Sequence, residues 1–179
     1  MIFHKTKLQG AFIIEPQQFA DERGFFSRNW SQREFDEQGL TARFVETNTS
    51  LSVKIGTLRG MHYQETPYAQ AKLVRCTAGS IYDVIIDLRA DSPSFKQWEA
   101  VELSADNHLL LYIPEGFAHG FQTLSENSEV FYQVSAYYQP DSARGVRWND
   151  PAFDIEWPEA NRIIIARDNE YADFDPATF

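Results

Sequence analysis

The stretch Leu58-Arg59-Gly60-Met61-His62-Tyr63-Gln64 sets a permanent cation, an imidazole and an amide around one glycine. A guanidinium fork matches phosphate oxygens, and an imidazole can take a proton near neutral pH. In a regular strand Arg59 and His62 differ by an odd number of positions and point to opposite faces. Glycine within a strand often marks a bulge or a close approach of backbone, and a bulge at Gly60 would turn both side chains toward one cavity. The residues alone leave equally open a surface arginine beside a hydrogen-bonded structural histidine.

A second cluster, Pro114-Glu115-Gly116-Phe117-Ala118-His119-Gly120-Phe121, is a turn that feeds a histidine into a strand. It is similar to the PxGxxH motif of cupin jelly rolls, whose histidine commonly binds metal. A metal-binding cupin needs further ligands from an earlier segment, where this chain offers only His62. With four histidines in all, and His4 and His108 peripheral, no metal site is expected. Lys72 in AKLVRC, Tyr132 and Tyr138 in FYQVSAYY, and Asp168 in ARD are the remaining candidates. Taken singly each has an ordinary explanation: a solvated lysine, core tyrosines with one polar tip, a turn-capping aspartate.

What must position these residues is a β-rich chain. Of 179 residues, 43% are hydrophobic and 15% aromatic, too rich for disorder and suited to half-buried strands. Apolar runs recur at 71–76, 80–89, 97–103, 108–113, 120–124 and 129–137. Within IYDVIIDL, Tyr82, Val84, Ile86 and Leu88 share one face, with Asp83 and Asp87 on the other. Residues 10–16 and 162–168 also read as strands. One short helix is predicted near 32–38, from the capping box Ser31/Glu34, the staple positions Trp30 and Phe35, and Gly39 at the C-terminal end. Many short strands without intervening helices predict an all-β, jelly-roll sandwich or barrel in one domain, 1–179, with few short helices. A net charge of −10 argues against nucleic acid as partner. The single Cys76, no apolar leader run and no membrane-length apolar segment point to a cytoplasmic protein that does not engage a membrane.

Together DERGFF (21–26), LRGMHYQ (58–64), AKLVRC (71–76), DSPSFKQW (91–98), IPEGFAHGF (113–121) and WNDP (148–151) closely resemble the nucleotide-sugar 3,5-epimerase family typified by dTDP-4-dehydrorhamnose 3,5-epimerase. The resemblance runs from about Gly10 to Asp168. It implies a cupin-type jelly roll, a homodimer, no metal or organic cofactor, and a nucleotide-diphosphate sugar as substrate. The implied reaction inverts C3 and C5 of a 4-keto-6-deoxyhexose, where each C–H is labile because the neighbouring carbonyl can take the charge as an enolate. By resemblance His62 is the base, Asp168 its orienting partner, Lys72 the enolate stabiliser and Tyr132 the acid. Arg23, Phe26, Arg28, Asn48, Arg59, Gln64, His119, Tyr138 and Arg167 correspond to substrate contacts.

The chain also departs from the family pattern. Arg28 stands where family members carry a glutamate in FFxE, and Arg144 lies near a second acidic family position. CDP or another nucleotide, or inversion at one carbon only, is therefore an alternative to the dTDP-linked double inversion. A non-catalytic sugar-nucleotide binder and a metal-dependent cupin oxygenase are the readings of another class.

Overall fold

The computed structural model describes residues 1–41 and 43–178, without the side chain of Thr178. Its strands are β1 (Ile2–Lys5), β2 (Phe12–Glu15), β3 (Gln18–Asp21), β4 (Gly24–Ser27), β5 (Glu46–Ser52), β6 (Leu58–Gln64), β7 (Lys72–Ala78), β8 (Ser80–Asp87), β9 (Trp98–Ser104), β10 (Leu110–Ile113), β11 (Phe117–Thr123), β12 (Ser128–Val134) and β13 (Ala143–Gly145). Two short helices join them, α1 (Gln32–Glu37) and α2 (Ala166–Asn169). One sheet has six strands in the order β1-β2-β10-β7-β12-β5, and the other five in the order β13-β6-β11-β8-β9. All pairings are antiparallel. The hairpin β3–β4 stands apart as a sheet of its own.

Alternation explains the layers. Along β7, Val74 and Cys76 face inward and meet Ile81 and Ile85 of β8 and Phe121 of β11, so one buried cluster joins the two sheets. Leu73 points the other way and packs with Phe12, Leu110 and Tyr112 beneath Phe35 of α1. The five-stranded sheet is covered outside by the C-terminal segment, whose Phe153 and Trp157 lie on Val84, Ile86 and Leu88. Strand β8 is thus buried on both faces, and Asp83 and Asp87 are fully buried instead of forming a solvent face. Asp87 is neutralised locally, taking bonds from Arg89 Nε at 2.8 Å and Ser94 Oγ at 2.6 Å.

Helix α1 spans nearly the expected residues, and Gly39 has the positive φ of +70° that its end requires. The capping box is not made. Ser31 forms no side-chain cap, and Glu34 instead receives the Met1 ammonium at 2.7 Å, a charge-assisted bond that outcompetes a neutral backbone donor. Phe35 and Trp30 do not close a local staple; each stacks edge-on with Phe44, at 6.4 Å in both cases. The run at 162–168 is not a strand either. Ile163 makes one parallel bridge to Thr57, and the chain then turns into α2. Strands β1, β3, β4, β5 and β13 are additional to those read from the sequence.

Candidate active site

The cavity that matters lies between the sheets. It has a volume of about 440 Å³ and is lined by Arg59, His62, Lys72, His119, Tyr132, Arg167 and Asp168 among others. Arg59 and His62 share it because β6 is bulged. Its pairing with β11 passes from His119↔His62 to Phe121↔Arg59, three steps on β6 against two on β11. The bulge needs glycine on both strands. A Cβ on Gly60 would stand 2.5 Å from the Gly120 Cα, and one on Gly120 would stand 2.6 Å from Met61 Sδ. The Gly60–Met61 peptide is cis, and Gly60 has φ of +142°.

His62 Nε2 lies 2.8 Å from Oδ1 of Asp168, which is 1% exposed, and the Gly60 N–H donates to Asp168 Oδ2 at 3.2 Å. The first turn of α2 swings this carboxylate under β6. Burial alone would raise the Asp168 pKa, but hydrogen bonds from His62, Gly60 and Arg167 hold it below the usual carboxylate range. Burial pushes the His62 imidazole below the ordinary histidine value, against the pull of Asp168 and with Lys72 and Arg167 adding to the depression. His62 is therefore neutral at pH 7 and able to accept a proton.

Lys72 enters from the opposite sheet. It is 8% exposed, donates from Nζ to the His62 carbonyl at 3.3 Å, and has its pKa lowered to about 8 by burial, with the Asp83 charge acting the other way. His119 Nε2 sits 2.8 Å from Asp83 Oδ1, while Asp83 Oδ2 has no hydrogen-bond partner among the described residues. Tyr132, on β12 of the six-stranded sheet, keeps its proton. Burial raises its pKa, opposed by Arg59 and assisted by Glu46. At the rim, Arg59 is braced from Nε to Ser52 Oγ and from Nη2 to the Leu51 carbonyl, both at 3.1 Å.

Not every residue read from the sequence reaches this cavity. Gln64 lines a second one instead, its amide engaged by the carbonyls of Tyr68 and Tyr137 and by the N–H of Gln139, which leaves it a structural brace. Arg23 and Phe26 lie on the exposed β3–β4 hairpin, Arg23 paired with Asp21. Arg28, just beyond it, faces Glu34 at 3.5 Å. Asn48, in register with Tyr132, and the exposed Tyr138 are also outside the lining. Arg144 is ion-paired with Glu65 at 2.8 Å. Asp83, which holds His119 at the cavity wall, is the residue the sequence reading did not single out. Its signal was an acidic residue in mid-strand between apolar neighbours. Among the described residues no group of three histidine, cysteine or acidic side chains could hold a metal ion.

Residues 5–175 match the family described as dTDP-4-dehydrorhamnose 3,5-epimerase. The chain belongs to this family. A Salmonella typhimurium dTDP-4-dehydrorhamnose 3,5-epimerase is 50% identical over 159 residues, covering 88% of this chain and 86% of the relative. The crystal structure of the Bacillus anthracis epimerase with TDP and pyrophosphate bound superposes with a TM-score of 0.93 at 44% identity, covering 97% of this chain and 99% of that one. A Legionella pneumophila 3,5-epimerase solved with dTDP-4-keto-L-rhamnose gives 0.87 at 40% identity, covering 93% and 89%. The fold is accordingly the cupin-type jelly roll of these epimerases, and the chain is an isomerase of that family. Among the described residues no helix is long and apolar enough to cross a membrane.

Proposed function

We propose that the protein converts dTDP-4-dehydro-6-deoxy-D-glucose to dTDP-4-dehydro-L-rhamnose by inverting C3 and C5. The observation that carries this reading is that His62 and Tyr132 line one cavity from opposite sheets, with Lys72 buried in the wall of the same cavity. Inversion needs a base on one face of the sugar and an acid on the other. Two facing sheets supply both without any movement of the fold. His62 takes the C–H proton, the electron pair moves to the C4 oxygen as an enolate, and the Lys72 ammonium meets that charge. Tyr132 then gives its hydroxyl proton to the carbon from the far side. One proton is lost and one gained, and His62 and Tyr132 are reset by exchange with water at the cavity mouth. Asp168 fixes the His62 tautomer and balances the imidazolium, and Asp83 orients His119 toward the sugar. Arg59 at the rim holds the diphosphate.

The decisive experiment is mass spectrometry after incubation in heavy water with the 4-keto-6-deoxyglucose nucleotide, offered as dTDP and CDP forms. Two deuteriums per sugar in the dTDP form are expected. None with either form would overturn the reading, and a single deuterium would reduce it to one carbon. Tyr132→Phe tests the second half-reaction: it should still wash deuterium out of a C-deuterated substrate while inversion falls about 10²-fold or more. Unimpaired inversion would remove Tyr132 from the acid role.

The reading includes a cytoplasmic homodimer. Cys76 is a free, buried thiol, as suits a reducing compartment. Phe19, Phe25 and Phe26 are all exposed on the β3–β4 hairpin, an apolar surface that a second copy would cover. Nucleotide contacts by Arg23, Phe26 and Arg28 would then be made in the partner's cavity. Sedimentation should give a dimer at micromolar concentration, and a monomer there would contradict the assembly.

A further inference from the structure

Arg167 has a geometry that a diphosphate clamp does not need. Its Nη2 lies 3.2 Å from His62 Nε2, and its Nε donates to Asp168 Oδ1 at 3.2 Å, the same oxygen that stands 2.8 Å from His62 Nε2. The guanidinium thus touches both members of the histidine–carboxylate pair. A guanidinium has donors only. Because ionised Asp168 can only accept, the neutral ring keeps its proton on Nε2 and takes a second one at Nδ1; the guanidinium beside the ring does not bond to Nε2, and its charge opposes that second proton. It also shares the carboxylate oxygen that would otherwise serve a protonated imidazole alone.

We propose that Arg167 is a positioning residue that works against Asp168 to hold resting His62 in its neutral, proton-accepting form. Lys72 acts on the ring in the same sense, but among the described residues no other charged side chain facing His62 touches both members of the pair. Lys72 on β7 reaches the His62 backbone carbonyl, His119 on β11 is turned to Asp83, and Tyr171 lies with its ring centroid 6.3 Å away. Arg59, on β6 itself, is braced by Ser52 and Leu51. From β13, Arg144 turns away to Glu65. The consequence for catalysis is a base that resists losing its function as pH falls, although its own carboxylate partner favours the protonated form. Burial and the nearby cations lower the His62 pKa in the same sense.

This inference rests on His62 being the base, and its test separates the two ideas. NMR titration of the four histidines in the ligand-free enzyme, with His62→Asn used to assign the His62 signals, reads the imidazole directly, whatever the substrate is. Arg167→Met should move the His62 midpoint to higher pH, and Arg167→Lys should restore it toward wild type. In turnover, the acid limb of kcat/KM should move with it, so that activity near pH 6 falls about threefold relative to the variant's own plateau, the size expected for one partly exposed charge. An unmoved midpoint in a folded Arg167→Met protein would overturn the proposal. So would a rise in KM that is uniform across pH, which is the signature of a simple phosphate contact.

Discussion

His62→Ala should abolish exchange of the sugar C–H protons with solvent and lower kcat/KM by about 10²–10⁴-fold, the usual contribution of a positioned general base. The nucleotide should still bind within a few-fold of wild type, because the proposed diphosphate contact, Arg59, is braced independently by Ser52 and Leu51. The fold should also survive. Without the imidazole, Asp168 keeps the Gly60 N–H at 3.2 Å and Arg167 Nε at 3.2 Å, so no buried carboxylate is orphaned. Isotope exchange and a thermal melt on the same preparation check both halves, and exchange at the wild-type rate would remove His62 from the mechanism.

Lys72→Met should separate activity from stability in opposite directions. Loss of the cation at the enolate oxygen should lower kcat by about 10²–10³-fold, as removal of an oxyanion donor does. Yet the same cation is expensive to bury. With its pKa held at about 8 instead of 10.5, keeping Lys72 charged in the folded protein at pH 7 costs about 3 kcal/mol, so the methionine variant should melt higher. The sign follows from proton counting. Between pH 8 and 10.5 the unfolded chain holds more protons on this residue than the native one, so wild-type stability should rise through that window, and the variant should lack the rise. The same titration gives turnover its alkaline limb near pH 8, opposite an acid limb set by His62 below the ordinary histidine range. A Lys72→Met protein that is less stable than wild type at pH 7 would contradict the electrostatic reading.

Local pattern was a good guide where one rule acted alone. The β-branched and aromatic runs became β7 to β12, and Gly39 ended α1 where a left-handed residue is required. It failed where a distant group intervened. Ser31 and Glu34 have the right spacing for a capping box, but the ammonium of Met1 claims the glutamate. Strand β5, Glu-Thr-Asn-Thr-Ser-Leu-Ser, carries too few apolar residues to announce itself, and it is held by pairing to β12. In β8 the alternation was read correctly, but the acidic positions turn inward because the C-terminal segment covers the other face. The site shows the same division. Arg59, Gly60 and His62 lie within four residues, and the bulge that unites them was foreseeable from the glycine. The partnership of His62 with Asp168 spans 106 residues, beyond the reach of any spacing rule, and only family resemblance brought it forward.

The last strand, β13, ends at Gly145, while the carboxylate beneath His62 is residue 168. During synthesis on the ribosome both sheets can therefore be complete while the imidazole still lacks its counterpart. A chain ending at about residue 160 would lack the Ile163–Ile165 wall of the cavity as well as Asp168, leaving an open cleft with an unaligned histidine. The histidine–carboxylate pair is thus completed from the far end of the chain, and a chain that stops short of α2 is expected to be inert.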